Sequence, residues 1–170
     1  ALLLPSRKDL GNIVQHFVNL DIRIGAADHD VSEALYLNDP DGNGIEIYID
    51  RDESQWTWLE GEQVNMVTEQ LNFQPILAAA DGKWEGLPAD TVMGHIHLSV
   101  ANLDKSEQFY TNVLDYNVVT HYGAQALFVS TGKYHHHFGL NTWNSNNGHA
   151  PLADMVGLKS FTVVLKDDAY

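Results

Sequence analysis

Histidines are concentrated in two short, strand-like stretches of this 170-residue chain, at residues 94 to 100 and 133 to 140. Five of the nine histidines lie there, namely His95, His97, His135, His136 and His137. Histidines on neighbouring strands can point into one cavity, and this is how a protein without cysteine most readily builds a metal site. Because the chain contains no cysteine, a site of histidine and carboxylate ligands is the first chemistry to consider.

The composition argues against several classes of function. Nine basic and 23 acidic residues give a formal net charge of −14, which repels nucleic acid and anionic membrane surfaces. The lack of cysteine excludes disulfides and thiolate zinc sites and suits a cytosolic protein. No apolar run approaches the ~20 residues of a membrane span, and no signal peptide is recognisable. We therefore expect a cytoplasmic protein that binds neither nucleic acid nor membrane, with a homo-oligomer left open.

The beginning of the chain predicts an amphipathic helix. Ser6, followed three residues later by Asp9, is a helix-capping pattern. Apolar residues then recur at the spacing of one buried helical face, at Leu10, Ile13, Val14 and Phe17. A helix with one face in the core is expected after Pro5.

A hairpin is predicted next, with strands at residues 32 to 37 and 44 to 50. Pro, Gly and Asn residues in the turn at 38 to 43 favour the backbone angles of a tight connection. On the second strand, isoleucines at every other position alternate with Glu46, Tyr48 and Asp50. One face of this strand is therefore apolar and the other carries Glu46.

The second half of the chain predicts a βαβββ unit. A strand at 95 to 100 leads to Asn102, a good helix cap, and then to apolar residues at helical spacing. Strand-like runs follow at 118 to 121, 126 to 130 and 134 to 141. Between the hairpin and this unit, Trp56, Trp58 and Trp84 lie in an irregular connector that we expect to pack on the body through these aromatic rings.

An internal repeat relates the two halves. The strand beginning at His95, the segment beginning at Ser160 and the start of the chain can be superimposed as strands that lead into helices. Ala1 then falls on His97, and Ser160 falls on His95. The predicted organisation is a partial βαβββ module at 1–50 that ends a first domain, a connector at 51–93, a complete module at 94–158 and the start of a further module at 159–170.

This pattern resembles the vicinal oxygen chelate superfamily, which includes glyoxalases, bleomycin resistance proteins and extradiol dioxygenases. The resemblance depends on Gly94-His-Ile-His-Leu98 with Phe109-Tyr-Thr-Asn-Val-Leu114, and on Leu35-Tyr-Leu-Asn-Asp-Pro-Asp-Gly-Asn-Gly-Ile-Glu-Ile-Tyr48. It is closest to two-domain catechol 2,3-dioxygenase-like proteins. It implies an α+β fold of repeated βαβββ modules that form cupped mixed sheets with helices outside. Because such proteins are longer, we expect this chain to be incomplete.

The resemblance also implies a metal site and a reaction. In extradiol dioxygenases two histidines and one glutamate hold Fe(II), and open positions remain for a catechol and dioxygen. His95 and Glu46 match two of these ligand positions. The second histidine position is taken by Ser160 in the later module, and in the earlier module it would lie just before Ala1. The cofactor implied is Fe(II) or another divalent metal such as Mn(II), and the implied substrate is a small aromatic molecule.

Three further residues match family positions outside the metal. His136 resembles an acid–base histidine near dioxygen, Tyr36 resembles a tyrosine that hydrogen-bonds the substrate, and His29 lies where the family carries another histidine on the substrate side. Strand alternation conflicts with the first match, because Phe138 and Leu140 facing the helix would turn His135 and His137, not His136, toward the cavity. We favour His136 on the motif.

Simpler interpretations remain for each of these residues. His95 could be a hydrogen-bonded strand histidine, Glu46 a solvent-facing carboxylate, and Tyr36 a packed aromatic. For the whole protein, the alternatives to a ring-cleaving dioxygenase are a metal-free binding module of the bleomycin-resistance type and a glyoxalase-like lyase or isomerase. One fold hosts all of these functions, so the choice depends on the site.

Overall fold

Two mixed β-sheets, each with a helix packed on one face, make up the fold. The structure is a computed structural model and describes residues 1 to 164 of the chain. The first part of the chain contains β1 (Leu2–Leu3), α1 (Arg7–Asn19), β2 (Gly25–Asp28), β3 (Ser32–Asn38), β4 (Gly44–Asp50), α2 (Phe73–Ala79) and β5 (Val92–Met93). The second contains β6 (Ile96–Ser99), α3 (Leu103–Asn112), β7 (Asn117–Tyr122), β8 (Ala126–Ser130) and β9 (Phe138–Asn141). The predicted α+β class is confirmed.

Both sheets follow one topology. The strand order is β2-β3-β4-β1-β5 in the first sheet and β6-β9-β8-β7 in the second. In each sheet the strand before the helix pairs in parallel with the last strand of its unit, β1 with β4 and β6 with β9, while the other neighbours are antiparallel. Each half is therefore a βαβββ module, and the repeat predicted from the sequence is present in the fold.

The cap and the apolar face of α1 are as predicted. The Ser6 side chain accepts a hydrogen bond from the backbone N–H of Asp9 at 3.3 Å, which satisfies one of the free donors of the first turn. The four apolar residues of the buried face enter one core cluster with residues of β3 and β4, among them Leu35, Ile47 and Ile49. Their burial anchors the helix to the first sheet.

The second module has its own core. Asn102 caps α3 by accepting from the backbone N–H of Lys105 at 2.8 Å. Tyr110 of this helix packs on Phe138 of β9, with ring centroids 4.8 Å apart. Leu127, Val129 and Leu140 complete the cluster. The side chains of Phe138 and Leu140 therefore face the helix, as expected.

The connector carries more structure than predicted. It contains α2 and β5, together with the short 3-10 helices Glu53–Gln55 and Glu60–Glu62. Trp56 is only 6% exposed and packs with apolar residues from both modules, including Val31 and Val119. Trp84 stacks on His16 with ring centroids 4.7 Å apart. The aromatic anchoring of this segment is confirmed, although its helix was missed.

Two other segments differ from the prediction. Strand β9 begins only at Phe138, so residues 134 to 137 are not part of a strand. Residues 151 to 164 are exposed and irregular. The predicted start of a further module at 159–170 is thus irregular as far as residue 164, and its remainder lies outside the described residues. Within the described part of the chain, every helix is too short or too polar to cross a bilayer.

The crossing of α1 and α2 generates the first testable prediction. A Cβ added at Gly11 would lie 2.3 Å from the backbone oxygen of Ile76, so the Gly11→Ala variant must push the helices apart. We expect a loss of about 1–3 kcal/mol in the free energy of unfolding, even though alanine favours helix by about 1 kcal/mol. Urea unfolding would measure it. Gly44→Ala, where a Cβ meets nothing within 4 Å, is the control. A Gly11→Ala variant as stable as the parent would contradict this close contact.

Candidate active site between the two sheets

The two modules meet through a contact between His95 and Glu46. His95 directly precedes β6, and Glu46 lies in β4 of the other module. The Nε2 atom of His95 lies 2.9 Å from the Oε2 atom of Glu46. The His95 side chain is 2% exposed and that of Glu46 is 13% exposed. The structure therefore brings together the two residues that the sequence predicts as metal ligands, although 49 positions separate them.

Glu46 is held in its ionised form. Burial by itself would raise the pKa of this carboxyl, but the hydrogen bond and the charge of His95, together with the charge of His29, bring its pKa below the usual value. A buried anion is thus available at the interface of the modules. The interpretation of Glu46 as a solvent-facing carboxylate is wrong, because the polar face of β4 lies against the second module.

His29 and Tyr36 form a hydrogen-bonded chain that ends on Glu46. The backbone oxygen of Val67 can only accept, so His29 donates to it from Nδ1 at 2.6 Å. The other ring nitrogen lies 2.6 Å from the Tyr36 hydroxyl, which lies 3.3 Å from Oε1 of Glu46. Tyr36 and Glu46 are opposite each other in the pairing of β3 with β4, which explains their proximity.

The Tyr36 hydroxyl has one hydrogen for two neighbours. It donates to Glu46 when both nitrogens of His29 carry hydrogen, and to His29 when that ring is neutral. Burial and the nearby charge of Glu46 raise the pKa of Tyr36 well above the usual tyrosine value, so the hydroxyl keeps its hydrogen. Tyr36 is therefore a neutral donor beside the carboxylate, and not only a packed aromatic.

The second nitrogen of His95 is left without a partner. Its Nδ1 atom is buried and has no hydrogen-bond partner among the described residues. The ring is held from two sides, by Tyr48 with centroids 4.8 Å apart and by His136 at 4.2 Å. An unpaired polar atom in such surroundings costs about 1–3 kcal/mol unless a ligand or water satisfies it. The interpretation of His95 as a fully satisfied strand histidine does not describe this ring.

Gly94 is required by the position of Tyr48. A Cβ at residue 94 would lie 1.8 Å from the Tyr48 hydroxyl and 2.6 Å from Cζ of its ring. Only glycine lets the chain pass close enough to this tyrosine for the ring of the next residue, His95, to pack against it.

His136 lies at the site, and its neighbour His135 does too. His136 is 7% exposed and its ring lies between those of His95 and Phe128, the latter at 4.9 Å. Its Nδ1 atom lies 2.8 Å from Nδ1 of His135, which is fully buried. Burial, with the charges of His95 and His135, lowers the pKa of His136 well below the usual histidine value, so the ring is neutral near pH 7.

The conflict between strand alternation and the motif is resolved by the local backbone. Residues 134 to 137 are irregular, so the alternation of a strand does not apply to them. His135 and His136 consequently both point into the protein. His137 differs, since its Nδ1 atom lies 2.9 Å from the Ser130 hydroxyl. His97 is exposed and packs beside Trp143, with centroids 5.4 Å apart.

Sequence reasoning missed a group that supports His135. The Nε2 atom of His135 lies 2.8 Å from Oδ1 of Asp50, and the Tyr134 hydroxyl donates to the other oxygen of Asp50 at 2.9 Å. The Tyr48 hydroxyl lies 2.9 Å from that of Tyr134. Asp50 is on the same face of β4 as Glu46 and Tyr48, at alternate positions. The alternate spacing of these three residues places Asp50 on the same face of the strand as Glu46. Alternation alone, however, does not tell whether that polar face is buried or exposed to solvent.

The residues present fit two of the three ligands of a facial metal site. Ligands about 2.1 Å from one ion and at right angles lie about 3.0 Å apart, close to the 2.9 Å between His95 and Glu46. Within residues 1 to 164, however, no group of three histidine, aspartate or glutamate side chains could hold a metal by itself.

A known protein matches almost the whole chain. The sequence is 48% identical over 168 residues to the catechol-2,3-dioxygenase of Bacillus subtilis strain 168, an alignment that covers 97% of this chain and 59% of that protein. The chain thus spans about six tenths of the relative's length. No protein-family model matches the sequence. The resemblance to catechol 2,3-dioxygenase-like proteins that the sequence predicts is confirmed.

Two solved structures are more distantly similar. The 2,2',3-trihydroxybiphenyl 1,2-dioxygenase of Sphingomonas wittichii RW1 aligns with 81% of this chain and 44% of its own, at 20% identity and a TM-score of 0.26. The Mn(II)-bound glyoxalase of Novosphingobium aromaticivorans aligns with 82% of this chain and 40% of its own, at 19% identity and a TM-score of 0.30.

The hydrogen bond between Tyr134 and Asp50 predicts a change in alkaline stability. Burial and the Asp50 charge raise the pKa of Tyr134, so above the usual tyrosine pKa of about 10 only the unfolded chain ionises there. The stability that this tyrosine contributes is present below pH 10 and is lost as the pH rises further, by up to about 1.4 kcal/mol per pH unit. We expect Tyr134→Phe to show a shallower loss in urea unfolding between pH 9 and pH 11.

The control for this experiment is Tyr122→Phe, because the Tyr122 side chain is 49% exposed. It should follow the parent curve across the whole range. If Tyr134→Phe also follows the parent curve, the Tyr134 hydroxyl is not buried against a carboxylate.

Proposed function

We propose that the intact protein is a metal-dependent extradiol dioxygenase that cleaves a catechol-type aromatic ring. The observation that carries the proposal is the buried contact of His95 with Glu46, where an imidazole and a carboxylate lie at the separation of two ligands of one ion. The 48% identity to a catechol-2,3-dioxygenase over nearly the whole chain supports the same function. Fe(II) is the cofactor we propose, with Mn(II) as the other divalent candidate.

In this proposal His95 and Glu46 hold the metal. Glu46 supplies a negative charge, since its pKa lies below the usual value, and His95 supplies an imidazole nitrogen. A bound Fe(II) would supply open positions at which a catechol and dioxygen meet. Among the described residues no third histidine, aspartate or glutamate completes a ligand set with this pair.

The remaining residues of the site would act on the substrate. Tyr36 keeps its hydrogen and can donate it to a substrate oxygen. His29 holds the side chain of Tyr36 in place, because its Nε2 atom lies 2.6 Å from the Tyr36 hydroxyl. His136 is neutral and packs on His95, so it can accept a proton from a substrate hydroxyl. These three groups, which the motif comparison predicts as catalytic, surround the proposed metal ligands from two sides.

One observation favours a second function, a metal-free module that binds a small molecule. The described residues hold two candidate ligands in contact but no set of three, and His95 and Glu46 satisfy each other through a hydrogen bond. A glyoxalase-like reaction is less well supported, because Glu46 is the one carboxylate that contacts His95 within the described part of the chain. Metal analysis separates these possibilities.

The proposed metal site predicts the effect of His95→Ala. Anaerobic reconstitution with Fe(II) or Mn(II) should load about one ion per chain of the intact protein, and the variant should lose both the ion and any turnover of catechols. Elemental analysis and oxygen-uptake assays would measure the two effects. His149→Ala, which changes an exposed histidine, is the control and should keep both. An intact protein that stays metal-free and still binds catechol would establish the binding module instead.

The acid–base role of His136 predicts a different pattern. In His136→Gln we expect the metal content to remain that of the parent while kcat for catechol cleavage falls about 10²–10⁴-fold, with a smaller effect on KM. Steady-state oxygen uptake on metal-loaded samples would show this. A variant that loses metal in parallel with activity would assign His136 to holding the site together and not to proton transfer.

A further inference from the structure

The half-buried Asp50 and the buried His135 are polar groups that the proposed function leaves without a role. His135 is fully buried, and both of its ring nitrogens have partners. The neighbouring Arg51 does not pair with Asp50, because its guanidinium is directed to Asp28 and Glu33. The Asp50 carboxylate is thus committed to His135 and Tyr134, although a guanidinium is available next in sequence. Buried polar groups arranged in this way require an explanation.

Asp50, His135 and His136 are joined by two successive contacts. The carboxylate of Asp50 determines which atom donates and which accepts in each of them. An ionised carboxylate only accepts, so the hydrogen in the 2.8 Å contact with Asp50 belongs to Nε2 of His135. Burial lowers the pKa of His135, which keeps the ring neutral and leaves its Nδ1 atom as an acceptor. His136 must then donate from its own Nδ1 across the 2.8 Å contact.

The second ring nitrogen of His136, Nε2, consequently carries a free lone pair. A neutral imidazole with hydrogen on Nδ1 has an unprotonated Nε2. That atom has no hydrogen-bond partner among residues 1 to 164. The rings of His95 and Phe128 lie against His136 and restrict its rotation.

The ring of His135 is fixed as firmly as that of His136. Tyr134 lies 4.2 Å from it, and Trp56 approaches it edge-on at 5.1 Å. This packing sets the ring plane, so that one nitrogen faces Asp50 while the other faces His136. The geometry is that of a relay in which a carboxylate orients one histidine through another.

We infer that Asp50 and His135 are positioning residues that hold His136 in the tautomer with hydrogen on Nδ1, leaving the Nε2 lone pair to accept a hydrogen bond or proton from a hydroxyl of a bound phenol. The role of that lone pair rests on the proposed function. The tautomer itself is a property of the folded chain and can be tested without metal or substrate.

The test is the tautomer of His136 in the intact protein labelled with ¹⁵N in its histidine rings. Long-range ¹H–¹⁵N spectra distinguish a ring nitrogen that carries hydrogen from one that does not. For the parent we expect a single species with hydrogen on Nδ1 of His136. In His135→Phe, which keeps an aromatic ring between Trp56 and Tyr134, we expect a mixture of both tautomers because the acceptor is lost.

Asp50→Ala is the second variant, and it guards against a failure of the first to fold. The Asp50 side chain is 23% exposed, so its truncation leaves no sealed cavity. In this variant, too, we expect a mixture of both tautomers of His136. Tyr134→Phe is the matched control, because it removes the other hydrogen bond to Asp50 and leaves the contact with His135. In this control His136 should keep the parent pattern.

Two results would overturn the inference. One is a parent protein with hydrogen on Nε2 of His136, and the other is an unchanged Nδ1 tautomer in both His135→Phe and Asp50→Ala. If the tautomer follows the expected pattern but the protein binds no metal and turns over no catechol, the relay stands and the proposed dioxygenase function fails. The two conclusions are thereby separable.

Discussion

A pair of polar groups withdrawn from water, His95 and Glu46, joins the two modules. Neither module could leave its own member of this pair buried without a large desolvation penalty, and each supplies the partner that the other needs. The requirement fixes the start of β6 against the middle of β4. The other site residues depend on that placement, because Tyr36 reaches the site through Glu46 and His136 through His95.

Strand β4 shows how one element serves both the core and the site. Ile47 and Ile49 pack under α1 in the first module, while Tyr48 and the carboxylates on the opposite face contact the second module. A strand covered on both faces is usually a continuous apolar run. Here the alternating pattern persists, since histidines of the second module form hydrogen bonds with the carboxylates of the covered polar face.

Local features of the fold could be predicted from the sequence, whereas the site could be predicted only in part. The Ser6 cap, the apolar face of α1 and the turn before β4 depend on neighbouring residues, and each is found as expected. The pairing of His135 with Asp50 joins positions 85 residues apart, and no local pattern contains it. Strand alternation does not apply to His136, because β9 begins only at Phe138, so it could not indicate which of the histidines before β9 face the site.

Because of Gly94, the segment that carries His95 and strand β4, which carries Tyr48, cannot be redesigned independently of each other. A side chain at residue 94 would collide with the ring of Tyr48 as well as with its hydroxyl, because Cζ would be only 2.6 Å away. Replacing the tyrosine by phenylalanine therefore would not create the missing space. A designer who wants a different residue before His95 must first install a smaller one at position 48, and would lose the ring against which His95 packs.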